Sequence, residues 1–160
     1  MKHRTIARTF AFAAVALALS VAPTAKADDK GCSANSLLGT FSRIDTGTVL
    51  IAPVASAVGP IATVGTFTFD GTGKLTGAIV SSQNGSISQA AQTGTYAVNP
   101  DCTGTIVVQA SGGHAAHYSF VMDDSLNGFQ YICTDSGPIS IVYTGTARRQ
   151  FPAGDWRYGR

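Results

Sequence analysis

From Val64 onward the chain alternates apolar and polar positions with a period of two. Gly65-Thr66-Phe67-Thr68-Phe69 puts both Phe on one face, as a half-buried strand requires. Leu75, Gly77 and Ile79 share a face within 74–82. Ala116, Tyr118, Phe120 and Met122 share one in the strand after 111–113, as do Phe129, Tyr131 and Cys133 in 129–134. Ile139, Ile141 and Tyr143 align in 139–148. Segments 86–99 and 102–110 read as two further strands, the first long enough to carry a bulge.

Turn chemistry separates these runs. Asp70-Gly71-Thr72-Gly73, Asn99-Pro100-Asp101, Ser111-Gly112-Gly113, the segment 123–128 and Ser136-Gly137-Pro138 all read as turns. Asn84-Gly85 is the pair that a type I′ hairpin demands. Upstream the signal is weaker. The segments 37–44 and 47–51 read as two short strands, and 53–63, with Pro53, Gly59 and Pro60, reads as a loop or edge segment over a barrel end.

Eight or nine strands joined by short turns leave no room for a parallel crossover. The pattern predicts an all-β, antiparallel up-and-down barrel of about eight strands, with a sandwich as the competing solution. A repeated Gly-Thr step, at Gly39, Gly47, Gly65, Gly94, Gly104 and Gly145, supports closure. Glycine inside a strand lets it bend and lets a neighbouring aromatic cover the gap.

Composition adjusts this picture at the ends. Lys2, Arg4 and Arg8, the apolar run 10–21 and Ala25-Lys26-Ala27 predict a cleaved signal peptide over 1–27. The barrel domain then spans 28–148, and 149–160 is a basic-aromatic tail holding Trp156, Arg157 and Tyr158. Removing the leader takes four of the eleven Lys and Arg. Seven remain against nine acidic residues, a formal charge of −2, so no basic face is left for nucleic acid. The apolar run is too short to span a bilayer, so no stable membrane insertion is expected. All nine acids are Asp, which favours turns over helices.

An exported chain meets an oxidising compartment, periplasmic or extracellular. Cys32 and Cys102 lie in opening and turn segments, whereas Cys133 shares an apolar face. That placement favours a Cys32–Cys102 disulfide, worth about 4 kcal/mol in the chain-entropy model.

Candidate chemistry is sparse. His114 and His117 form H-x-x-H, but an odd separation on a strand sends them to opposite faces, which argues against a shared metal. Asp123-Asp124 sits in a turn sequence. No catalytic, cofactor or metal motif is recognisable.

The spaced set Cys32-Ser33, Leu38-Gly39-Thr40-Phe41, 64–71 with Gly73, Gly94-Thr95-Tyr96, 101–105 and 145–150 resembles a group of small exported bacterial proteins without an assigned function. The resemblance runs from Cys32 to Gln150. It implies a barrel similar to the allene oxide cyclase-like barrels, relatives of the lipocalin-type calycins. It also implies that Cys32 and Cys102 belong to the pattern and Cys133 does not. No cyclase catalytic residue matches a position here, so the resemblance implies no cyclase activity.

The expected function is binding of a small apolar ligand, or interaction as a secreted or surface module, by a monomer. The expected ligand face is Phe67, Phe69, Tyr96, Tyr118, Phe120, Phe129, Tyr131 and Tyr143. The alternatives are an isomerase or cyclase with polar groups inside the barrel, and a structural envelope or host-recognised exported protein.

Overall fold

A computed structural model describes residues 31–53, 55–111, 115–135 and 140–151. The expected leader, His114, the turn at 136–138, Ile139 and the tail beyond Phe151 lie outside the described residues. Eight strands run in chain order: β1 Gly39–Ile51, β2 Gly59–Phe69, β3 Lys74–Gln83, β4 Ser86–Val98, β5 Thr103–Ala110, β6 Ala115–Met122, β7 Gly128–Cys133 and β8 Ser140–Arg149. Each pairs antiparallel with the next, and β8 pairs with β1, closing the barrel. The expected fold class is therefore the observed one, and closure rules out a sandwich.

Two upstream readings change. The segments 37–44 and 47–51 are not two strands: β1 runs through Gly47 without a break, and Leu37 belongs to a short 3-10 helix, Ala34–Leu37. The segment 53–63 is not wholly loop, because β2 starts at Gly59 and pairs Ile61 with Gly47. Pro60 is tolerated there as the second residue of the strand, where the missing N–H costs least. The irregular register falls between Val49 and Ile51, at the β1–β8 seam, and β4 pairs continuously with both neighbours. At the β3–β4 hairpin Asn84 and Gly85 both take positive φ, 48° and 87°, as a type I′ turn requires.

One end of the barrel is plugged. Phe41, Phe67, Phe69, Leu75, Tyr96, Ile106, Phe120, Met122 and Phe129 fill the interior with Leu37 from the 3-10 helix. Their rings meet edge-on or tilted, Phe69 and Tyr96 at 4.8 Å and Phe41 and Phe69 at 5.5 Å between centroids, the arrangement aromatic quadrupoles favour. A Cβ on Gly104 would overlap the Phe120 ring, so there the aromatic does cover the glycine gap.

The plug is tied down in three ways. Cys32 and Cys102 form a disulfide with Cα atoms 4.9 Å apart. Tyr96 OH donates to the Ala34 carbonyl at 3.0 Å. Arg149 donates to the carbonyls of Leu38, Ser36 and Leu126 and lies over the Phe41 ring at 4.5 Å. No helix among the described residues is long and apolar enough to cross a membrane.

Candidate ligand-binding site

Among the described residues, none plugs the opposite mouth. Above the aromatic stack lies a cavity of about 390 Å³, near the low end of the size range for small-molecule sites. Its walls are apolar: Pro53, Ile61, Ile79, Ala116 and Ile141. Its floor and flanks are polar: Arg43, Thr63, Ser81, Gln92, Tyr118 and Tyr143. Ala115, Cys133 and Asp135 complete the lining.

The floor follows from period two in β1. Phe41 points inward, so Arg43 and Asp45 must as well, and both are buried. Two charges are tolerable there because they satisfy each other. Arg43 Nε donates to Asp45 Oδ2 at 2.9 Å and Nη2 lies 2.7 Å from the same oxygen, with side-chain exposures of 1% and 0%. The guanidinium also stacks on Phe67, 4.2 Å from the ring centroid, and Nη1 donates to Gln92 Oε1 at 3.4 Å.

Tyr143 closes the floor from β8. Its hydroxyl lies 3.0 Å from Asp45 Oδ2 and 2.8 Å from Thr63 Oγ1, either of which can accept its proton. Among the described residues, two buried side-chain atoms lack partners, Asp45 Oδ1 and the Tyr131 hydroxyl. Both crowd the space where a side chain on Gly145 would begin. Burial pushes the Asp45 carboxyl above its ordinary range, against the pull of Arg43 and Tyr143. Burial likewise raises the Tyr118 hydroxyl to about 12, and burial together with the Asp45 charge raises that of Tyr143. Both hydroxyls are therefore protonated donors at neutral pH.

At the rim, Cys133 Sγ donates to Asp135 Oδ2 at 3.3 Å, and Asp135 Oδ1 lies 2.6 Å from His117 Nδ1 on the outer face of β6. Burial raises the Asp135 carboxyl, but hydrogen bonds from His117 and Cys133 outweigh it and hold the group below its ordinary value. The Cys133 thiol is pushed up to about 11, first by burial and then by Asp135. It is a thiol, not a thiolate, at neutral pH, and a thiol is a poor nucleophile. His117 faces out and bonds Asp135, and no group of three metal-ligating side chains occurs among the described residues.

Of the eight residues expected on the ligand face, all are buried, but only Tyr118 and Tyr143 line the cavity. Phe67, Phe69, Tyr96, Phe120, Phe129 and Tyr131 are spent on packing below it. Sequence reading placed the aromatics on the right face but could not say at which height the filling stops. It missed Arg43, Asp45, Thr63, Ser81 and Gln92. The alternation Phe41-Arg43-Asp45 and the pairing of β1 with its neighbours carried the signal for the first two.

No protein family model matches the chain, and no curated protein matches it. Among solved structures it is similar to one described as a de novo designed fluorescence-activating β-barrel, with a TM-score of 0.49 and 15% identity, over 73% of this chain and 96% of the other. The barrel assignment rests on the strand registers above, not on that likeness.

Proposed function

We propose that the chain is an exported barrel, one domain from 28 to the end of β8 at Arg149, behind a cleaved leader at 1–27 and ahead of a basic-aromatic tail, that binds one small molecule in its open mouth. A monomer carries the whole site. The observation that carries this reading is the cavity itself, apolar walls above a hydrogen-bonded polar floor, the usual composition of a small-molecule site. The disulfide between Cys32 and Cys102 supports an oxidising compartment, periplasmic or extracellular. The resemblance to exported bacterial barrels of the allene oxide cyclase-like type belongs to the same proposal.

The test is titration of the mature protein with prodan, a neutral, environment-sensitive naphthalene ketone. The expected result is a saturable blue shift with one site per chain, abolished in Ala116→Trp, where an indole fills the mouth. Unsaturable emission, or the same shift in the variant, would overturn the reading.

A second reading, an isomerase or cyclase on the same barrel, draws support from the inward carboxylate of Asp45. Asp45 is covered by Arg43 and Tyr143 and does not line the cavity. It would act through Tyr143. Turnover of an epoxide or enone probe, lost in Tyr143→Phe while prodan binding survives, would favour this reading over plain binding.

A further inference from the structure

The reading above leaves the ligand's chemistry open, and the floor narrows it. Resting on that reading, we infer that the cavity takes a molecule with an apolar body and an uncharged hydrogen-bond acceptor at its inner end, a ketone, ester or lactone oxygen, and that Asp45 sets this preference by neutralising Arg43.

The first argument is donor and acceptor accounting. The floor's acceptors are committed. Gln92 Oε1 takes Arg43 Nη1, Asp45 Oδ2 takes Arg43, and Tyr143 stands against Thr63 Oγ1 and Asp45 Oδ2. On the wall, the Ser81 hydroxyl pairs with that of Ser88 at 2.8 Å. Asp45 Oδ1 has no partner, but it lies against Gly145 and Tyr131, away from the mouth. What remains for a guest at the inner end is donors, the Gln92 amide N–H groups and the Tyr118 hydroxyl, whose oxygen faces Arg43; the Asp135 carboxylate also lines the cavity but is held at the rim by His117 and Cys133. A site of spare donors is complementary to an acceptor.

The second argument is charge. A lone buried guanidinium would attract a carboxylate, and Arg suits that geometry. Here Asp45 already occupies it, with two nitrogens on one oxygen at 2.9 and 2.7 Å. An incoming carboxylate would be desolvated and would share that cation with a second buried anion, and desolvating an ion costs far more than its partial pairing returns. A neutral carbonyl meets the same donors without that cost. Asp45 is thus a specificity-determining residue that acts through Arg43 and need not touch the ligand.

The experiment compares 2-decanone with decanoate on the wild-type protein by calorimetry at neutral pH. The expected result is at least tenfold tighter binding of 2-decanone. Equal or tighter binding of decanoate overturns the inference while leaving the binding reading intact. Binding of neither, together with failure of prodan, overturns both. Asp45→Asn, which keeps the shape and uncovers the cation, should shift the ratio at least tenfold toward decanoate. An unchanged ratio in the folded variant overturns the role of Asp45. Gln92→Leu leaves the ion pair in place and removes one donor. It should weaken 2-decanone at least threefold, and an unaltered affinity would remove the acceptor argument.

Discussion

Asp45 and Gly145 face each other across the β1–β8 seam, and the carboxylate occupies the space that a Gly145 side chain would take. A Cβ there would overlap Asp45 Oδ1 and stand 2.6 Å from the Tyr131 hydroxyl. The carboxylate is fixed by Arg43 and the tyrosine by ring packing, so neither can retreat freely. Gly145→Ala is therefore expected to destabilise the barrel by about 1–3 kcal/mol, the usual cost of overpacking. The urea midpoint measures it.

Removing Asp45 leaves a buried cation alone. Asp45→Ala is expected to cost about 3–5 kcal/mol, as breaking one side of a buried pair does. The double variant Arg43→Met with Asp45→Leu should cost less than this single one, because no unpaired charge remains. A double variant less stable than Asp45→Ala would show that the pair contributes more than mutual neutralisation. Equilibrium unfolding of both variants decides.

Acid sensitivity should come from the turns. The Thr72 hydroxyl and the backbone N–H groups of Lys74 and Thr72 hold the Asp70 carboxyl down at about 2, below its ordinary value of 3.8. The unfolded chain binds the proton more readily, so stability rises with pH across this window. The contribution of Asp70 is complete above about pH 4 and is lost as pH falls through about 2. Asp70→Ala should flatten the dependence of the urea midpoint on pH in that interval and leave it unchanged near neutrality.

Cys133 should alkylate slowly. With its thiol at about 11, almost no thiolate exists at neutral pH, and thiolate is the reacting form. Iodoacetamide should modify it more than tenfold more slowly than free cysteine at pH 7.5, a rate that mass spectrometry follows. Because Cys133 lines the cavity, saturating prodan should slow it further.

The strands most legible in the sequence are those whose inward residues are bulky and whose ends carry Gly, Asn or Asp, such as β2 near Phe67 and β6 near Tyr118. Asp45-Thr46 and Pro60 read as interruptions, yet they pair within continuous strands. An Asp inside a strand is tolerated where a buried Arg pairs with it, and a proline costs little near the start of a strand. The floor was hidden for another reason. Arg and Asp read singly as surface residues, and only the pairing of one with the other, on neighbouring inward positions of β1, makes their burial tolerable. The cavity's depth was hidden too, since ring packing decides how far Phe67 and Tyr131 fill the barrel and alternation says nothing of height.

Every strand pairing except one joins neighbours in the chain, and local hairpins of that kind form early and fast. The exception, β1 with β8, must bring together the two ends of the domain, and it runs through the cavity floor. Arg43 and Asp45 stand on one lip of that seam and Tyr143 and Gly145 on the other. The floor is thus complete only once this seam has formed, and separating its two strands undoes it. A guest resting on it touches both lips, so its residence time and the lifetime of the closed ring are coupled quantities.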